Sequence, residues 1–222
     1  MKYVIIIVFF ILTSCQKKET FNNVLILDET DKSKKTKNFK KINYSVRYNY
    51  RDSLAKHLNP NKKYQYWQYA TFYHGMDDKT EHTILKQGGD LSLRKKIIEK
   101  FNPEYSVGIF QGGHPSFRCN YVTTIYNEKI SYLKTEEEFR DFLGTIDNLE
   151  EAMLLAHTYG YLLDNDIRGS EYRKVENGYI LHLVKFHEYP IYKESVEITV
   201  NTDGFIKTKS LGIYCEGANC YQ

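Results

Sequence analysis

Two glycine turns fix the C-terminal part of this chain more tightly than any other feature. Asn177-Gly178 and Asp203-Gly204 each stand between runs whose apolar and polar residues alternate with a period of two. Asn-Gly is the strongest short-range hairpin signal, because the tight turn it favours needs positive φ at both central positions. Tyr172 to Glu176 is thus expected to turn into Tyr179 to His187, and Ser195 to Val200 into Phe205 to Tyr214, with Pro190 separating the two pairs. This is the pattern of an antiparallel meander.

Helix signals lie just ahead of it. Thr135 and Glu138 have the spacing of a capping box, so Glu136 opens a helix that Gly144 stops. Asp147 and Glu150 repeat the device and start a second helix, ended by Gly160, with Leu149, Ala152, Met153 and Ala156 as its apolar stripe. Before these, Phe117 to Tyr126 and Ile130 to Leu133 flank a hairpin loop at Asn127-Glu128-Lys129.

The N-terminal half is less regular. Ile42, Tyr44, Val46, Tyr48 and Tyr50 alternate with polar residues and predict a half-buried strand. Asp52-Ser53 can cap a short helix that runs to Leu58 before Pro60. Tyr64 to Tyr73 follows as an aromatic strand, then a break at Gly88-Gly89, a helix capped by Asp90 or Ser92 and running to Phe101, and a second break at Gly112-Gly113. Leu93, Ile97, Ile98 and Phe101 mark that helix's buried face. Strands, helices and a meander in this order give an α+β fold: an antiparallel sheet of hairpins with helices packed on one face. The helix followed by a four-strand meander is similar in element order to cystatin-like and PepSY-like domains, a likeness that carries no function.

The first residues speak of address. Lys2 precedes a nine-residue apolar run, Val4 to Leu12, which is too short to cross a ~30 Å hydrocarbon core but has the length of a signal-peptide core. Leu12-Thr13-Ser14-Cys15 resembles the lipobox of bacterial lipoproteins. The resemblance implies cleavage of residues 1–14, diacylglycerol on the Cys15 thiol and a further acyl chain, such as palmitate, on the new N-terminus. Two or more chains suffice for stable anchoring. Gln16-Lys17-Lys18-Glu19 looks like the charged export tags of some Bacteroidota lipoproteins, and the whole composition is similar to uncharacterised lipoproteins of that phylum. The implied location is the outer membrane, on its periplasmic side or at the cell surface.

Residues 15–41 then form a tether. Lys32, Lys34, Lys35, Lys37, Lys40 and Lys41 repel one another and keep it extended. Residues 42–222 are expected to form a single domain, with a possible subdomain break near 103–116. Twenty Tyr and 12 Phe against 4 Pro and 13 Gly exclude a disordered or collagen-like chain. A formal net charge of +3, which also loses Lys2 on cleavage, is too close to neutral to imply nucleic acid as a partner.

Beyond Cys15, Cys215 and Cys220 are spaced for a disulfide across a tight loop, which an extracytoplasmic location permits. Cys119 is left over as a buried strand residue. Tyr64, Tyr66, Trp67, Tyr69, Phe72 and Tyr73 place aromatics on both faces of one strand. They are either buried on both sides or form a contact surface for a protein or glycan.

No metal or catalytic constellation emerges. Asp164 to Gly169 begins like a calcium loop, but Arg168 stands at a ligand position and Val175 where the closing Glu is needed. His182 and His187, five apart on a strand, point to opposite faces and cannot share an ion. The glycine pairs lack phosphate-loop spacing, and G-x-S-x-G, H-E-x-x-H and C-x-x-C are absent. No cofactor is implied. The expected function is a membrane-tethered binding module for protein, peptidoglycan or glycan, with an immunity or inhibitor protein as one version. The alternative is an envelope-acting hydrolase whose His, Asp and Glu residues are assembled by the fold.

Overall fold

The capping box at Thr135 is formed: its hydroxyl accepts from the Glu138 amide, and the Glu138 carboxylate reaches back to the Thr135 amide. The computed structural model that contains it describes residues 38–46, 50–74, 80–96, 109–111 and 117–221. The acylation motif, most of the tether, Ile97, Ile98, Phe101 and most of the expected break at 103–116 lie outside them.

The described elements, named in chain order, are β1 (Lys40–Lys41), α1 (Tyr50–Ala55), β2 (Tyr66–His74), β3 (Thr80–Gly89), β4 (Phe110–Gln111), β5 (Phe117–Tyr126), β6 (Lys129–Tyr132), α2 (Glu136–Leu143), α3 (Leu149–Thr158), β7 (Tyr161–Leu162), β8 (Glu171–Val175), β9 (Gly178–Glu188), β10 (Ile191–Asn201) and β11 (Ile206–Glu216), with short 3-10 turns between or after them. The fold is α+β and dominated by antiparallel strands. Where one sheet was expected there are two. The first runs β1-β8-β9-β10-β11 with β7 also on β9, and the second runs β3-β2-β5-β4 with β6 also on β5.

One core joins them. Leu181, Leu183, Val196, Ile198 and Val200 of the first sheet share it with Trp67, Tyr69 and Val122 of the second and with Phe139, Phe142, Met153, Leu154 and Leu155 of the helices. Within it α3 touches α1, α2, β9 and β10. The apolar stripe predicted for α3 understates its burial, since every residue from Glu151 to His157 is buried. A helix apolar nearly all round belongs inside, and this one is inside.

Several boundaries differ from the sequence pattern for physical reasons. The alternation from Ile42 survives as alternating burial, but only Lys40–Lys41 pair with a strand. Ile42 to Val46 is extended chain without a ladder, and Tyr50 opens α1 two residues before the expected cap. The N-cap of α3 is Asn148, one residue later than Asp147, and accepts from the Glu151 amide at 2.9 Å. Pro190 does not separate two hairpins: Tyr189-Pro190 is the tip between β9 and β10, so β8 to β11 form one continuous meander. Asn127 and Glu128 both take positive φ in the tight turn between β5 and β6.

The expected break at Gly88-Gly89 is the end of β3, an element the sequence pattern misses because its residues are mostly polar. Gly88 lies opposite Trp67, and a Cβ on it would sit 2.5 Å from the indole nitrogen. Glycine here makes room for the neighbouring strand's largest side chain. Asp90 does cap the following turn, accepting from the Ser92 amide at 2.9 Å.

Candidate functional site

The aromatic strand is the first sequence candidate, and four of its six named aromatics are buried in the fold. Tyr66, Trp67, Tyr69 and Phe72 are all buried, at 8% exposure or less. Tyr64 is half-buried, with its ring 5.5 Å from that of Phe142. The side chain of Tyr73 lies outside the described residues. Trp67 and Tyr69 enter the shared core, whereas Tyr66 packs with Ile125, and Phe72 with Tyr121 and Cys119, on the opposite face. Burial of both faces, not display, explains aromatics at both parities.

Cys215 and Cys220 form a disulfide, with Cα atoms 5.8 Å apart. Cys119, on β5, is buried and takes no part in a disulfide. The described residues hold no group of three or more His, Cys, Asp or Glu arranged for a metal ion.

Among the described residues the histidines are dispersed. His182 lies on β9 between Glu171 of β8 and Glu197 of β10, with Nδ1 3.6 Å from the first carboxylate and Nε2 3.4 Å from the second. Phe39 stacks on its ring at 4.2 Å, and the Arg173 guanidinium covers Phe39 in turn. A carboxylate lies beside each ring nitrogen, whereas the base of a nucleophile keeps one nitrogen for the hydroxyl or thiol. His187 stacks on Tyr192 and meets Glu194 at 3.0 Å. His157 is buried in α3 against the Tyr50 hydroxyl. Burial, together with the positive charge of Arg51, lowers its pKa to about 3, so it is neutral at physiological pH. Glu151, on the same helix, is pushed up to about 6 by burial even though it accepts from the Asn59 and Asp147 amides.

The densest ionic constellation was not legible in the sequence. Asp164, in the loop after β7, is 6% exposed. It receives the Lys193 ammonium of β10 at 3.1 Å, the Asn165 amide at 2.7 Å and the Tyr214 hydroxyl of β11. A β-bulge aims Tyr214 there, since Lys193 pairs with Cys215 and Glu194 with Ile213, leaving Tyr214 between them. Arg168 holds Asp166 with two bonds of 2.9 and 2.7 Å and covers the Tyr214 ring at 4.6 Å. Burial and the Asp164 carboxylate hold the Tyr214 phenol protonated far into the alkaline range. Gly169 lets the cluster close, because a Cβ there would come within 2.9 Å of Asp164. The carboxylate is saturated by protein donors, so this loop is a clasp on the sheet. A cation would have to displace Lys193 to reach Asp164.

What the fold leaves open is an edge. Among the described residues β11 pairs only with β10. Lys207, Thr208, Lys209 and Ser210 are all exposed, so the strand is uncovered on both faces here. Among the described residues Lys207 and Lys209 form no ion pair. The sequence carried a signal for this: polar residues at both parities between Ile206 and Leu211, the composition of an uncovered edge strand.

Comparison of the chain with protein-family models, with curated proteins and with solved structures gave no match.

Proposed function

We propose that this chain is a lipid-anchored, extracytoplasmic lipoprotein whose domain binds a protein partner and does not catalyse a reaction. The observation that carries the binding reading is the open side of β11. The face of the six-stranded sheet that bears Leu181 and Ile198 belongs to the core that the helices share, and beyond Ile206 the last strand, β11, contributes nothing to that core. Its Thr208 and Ser210, on that face, are therefore uncovered, beside a row of backbone donors and acceptors suited to a partner strand. The non-catalytic part is supported by the ionisable groups, which are occupied with one another: both nitrogens of His182 by carboxylates, and Asp164 by Lys193 and Tyr214.

The compartment is supported independently. Leu12-Thr13-Ser14-Cys15 supplies the acylation motif, and the Cys215–Cys220 bond is of the kind that persists outside a reducing cytoplasm. Cys15 would fix the chain to the outer membrane, on its periplasmic side or at the cell surface, with the lysine-rich segment as spacer. Blocking or sequestering a partner, as an immunity or inhibitor protein does, suits a domain of this size.

Two measurements test the reading. The mature protein should carry acyl groups by mass spectrometry, and Cys15→Ala should release it from the membrane fraction. A photo-reactive residue at position 208 should give a discrete protein adduct in whole cells that the same residue on the buried strand position Thr123 does not. An unacylated protein, or equal yields at both positions, would overturn the corresponding part.

A further inference from the structure

We infer that the open half of β11 takes an acidic, extended peptide segment as an added antiparallel strand. This rests on the binding reading above and names the partner's chemistry.

Backbone geometry comes first. Among the described residues the strand from Ile206 to Leu211 has β10 on one side only, and two bulges, at Leu211 and Tyr214, interrupt the ladder beyond Ser210. The disulfide and the turn at Ala218–Tyr221 then close over its C-terminal end. The available ladder is therefore about four to six residues long, enough for a short peptide strand.

Charge selects the partner. Lys207 and Lys209 project to the same face, two residues or about 6.7 Å apart. The cross-strand residue for Lys207 is Thr199, and for Lys209 it is Glu197, which also faces His182. That one nearby carboxylate leaves the pair net positive. A strand with Asp or Glu at alternate positions would set a carboxylate opposite each lysine, the cross-strand arrangement that stabilises a sheet. A second copy of β11 is disfavoured by the same geometry. Antiparallel pairing centred on Thr208 would put Lys207 of each copy opposite Lys209 of the other. The lysines thus guard the edge against itself while admitting an acidic strand.

The test uses the folded protein with the Cys215–Cys220 disulfide intact. The probes are a ten-residue peptide alternating glutamate and valine, its lysine counterpart, the glutamate peptide with N-methylated backbone amides, and vesicles containing phosphatidylglycerol. The readout is hydrogen exchange of the amides from 206 to 211. The glutamate peptide should slow their exchange at least tenfold at low salt, and the N-methylated peptide and vesicles should not. Lys207→Glu/Lys209→Glu should lose that protection and gain it from the lysine peptide. Because these side chains are exposed, the variant should fold, which unchanged exchange in α3 verifies. No protection at millimolar glutamate peptide would overturn the proposal, as would equal binding of the N-methylated peptide or of the vesicles, which need charge alone. If the peptides fail but the adduct at position 208 forms in cells, the acidic chemistry is wrong and the binding reading stands. If both fail, both fall.

Discussion

The Tyr50 hydroxyl meets Nε2 of His157 inside the fold, tying α1 to α3. The Leu163 amide donates to the same phenol oxygen at 3.2 Å, so this hydroxyl also ties in the chain after β7. The ring is neutral, because burial disfavours its charged form. An added proton would have to break this arrangement, in agreement with a pKa of about 3 caused first by burial and then by Arg51.

Stability against pH follows from His157 and Glu151 together. The unfolded chain binds a proton on His157 near 6.5 and the folded chain near 3, so acid lowers stability through this window. Glu151 works in the opposite sense. Its folded value is about 6 against an ordinary 4.5, so its contribution is greatest below 4.5 and is lost as pH rises through 6. Between pH 6 and 4.5 the two slopes oppose, and below 4.5 only His157 acts. Urea unfolding should show stability nearly level from pH 6 to 4.5, then falling at about 1.4 kcal/mol per pH unit. In Glu151→Gln the level stretch should become a continuous fall beginning near 6.5. A level stretch that survives the substitution would contradict the assignment.

Gly88→Ala should destabilise the domain by roughly 1–3 kcal/mol, the cost of forcing a methyl into a filled space. The methyl would meet the Trp67 indole at 2.5 Å. Combining it with Trp67→Leu should cost less than the sum of the single changes, because the smaller side chain vacates the contested volume. Additive losses in chemical denaturation would show that the two residues do not compete.

Asp164→Ala should cost about 3–5 kcal/mol by leaving the Lys193 ammonium without its carboxylate in a largely buried site. Asp164→Leu/Lys193→Met should recover part of that loss, since it removes the unpaired charge while the Tyr214 hydroxyl and the Asn165 amide still lose their acceptor. Denaturation midpoints of the three proteins decide this. A double variant as unstable as Asp164→Ala would mean that the charges do more than compensate each other.

Cys215→Ser/Cys220→Ser should lose only about 2 kcal/mol, because the closed loop is short, with a separation of five residues. Thermal unfolding of the oxidised protein and the variant gives the difference. A variant that fails to fold would make the bond far more important than its loop length implies.

Local chemistry was legible in the sequence and long-range pairing was not. The Thr135 capping box, the Asn127-Glu128 turn and the strands of the meander are decided by residues a few positions apart, and they appear where the pattern places them. The second sheet was hidden because β3 is mostly polar and its Gly88 answers to Trp67, 21 residues earlier in the chain. The Asp164 cluster joins residues 29 and 50 positions apart, and nothing local in Asp164-Asn165-Asp166 announces it. The aromatic strand was ambiguous because alternation distinguishes faces only when one face is wet. Here both are dry.

The occupancy of β11 in the cell tests the account most directly. Thr208→Cys places an exposed thiol on the open edge, while the native Cys119 is buried. A membrane-permeant maleimide should label the new thiol rapidly in the purified protein. It should label it at least tenfold more slowly in whole cells that make the protein at its natural level. Equal rates in both settings would contradict a partner strand at this edge.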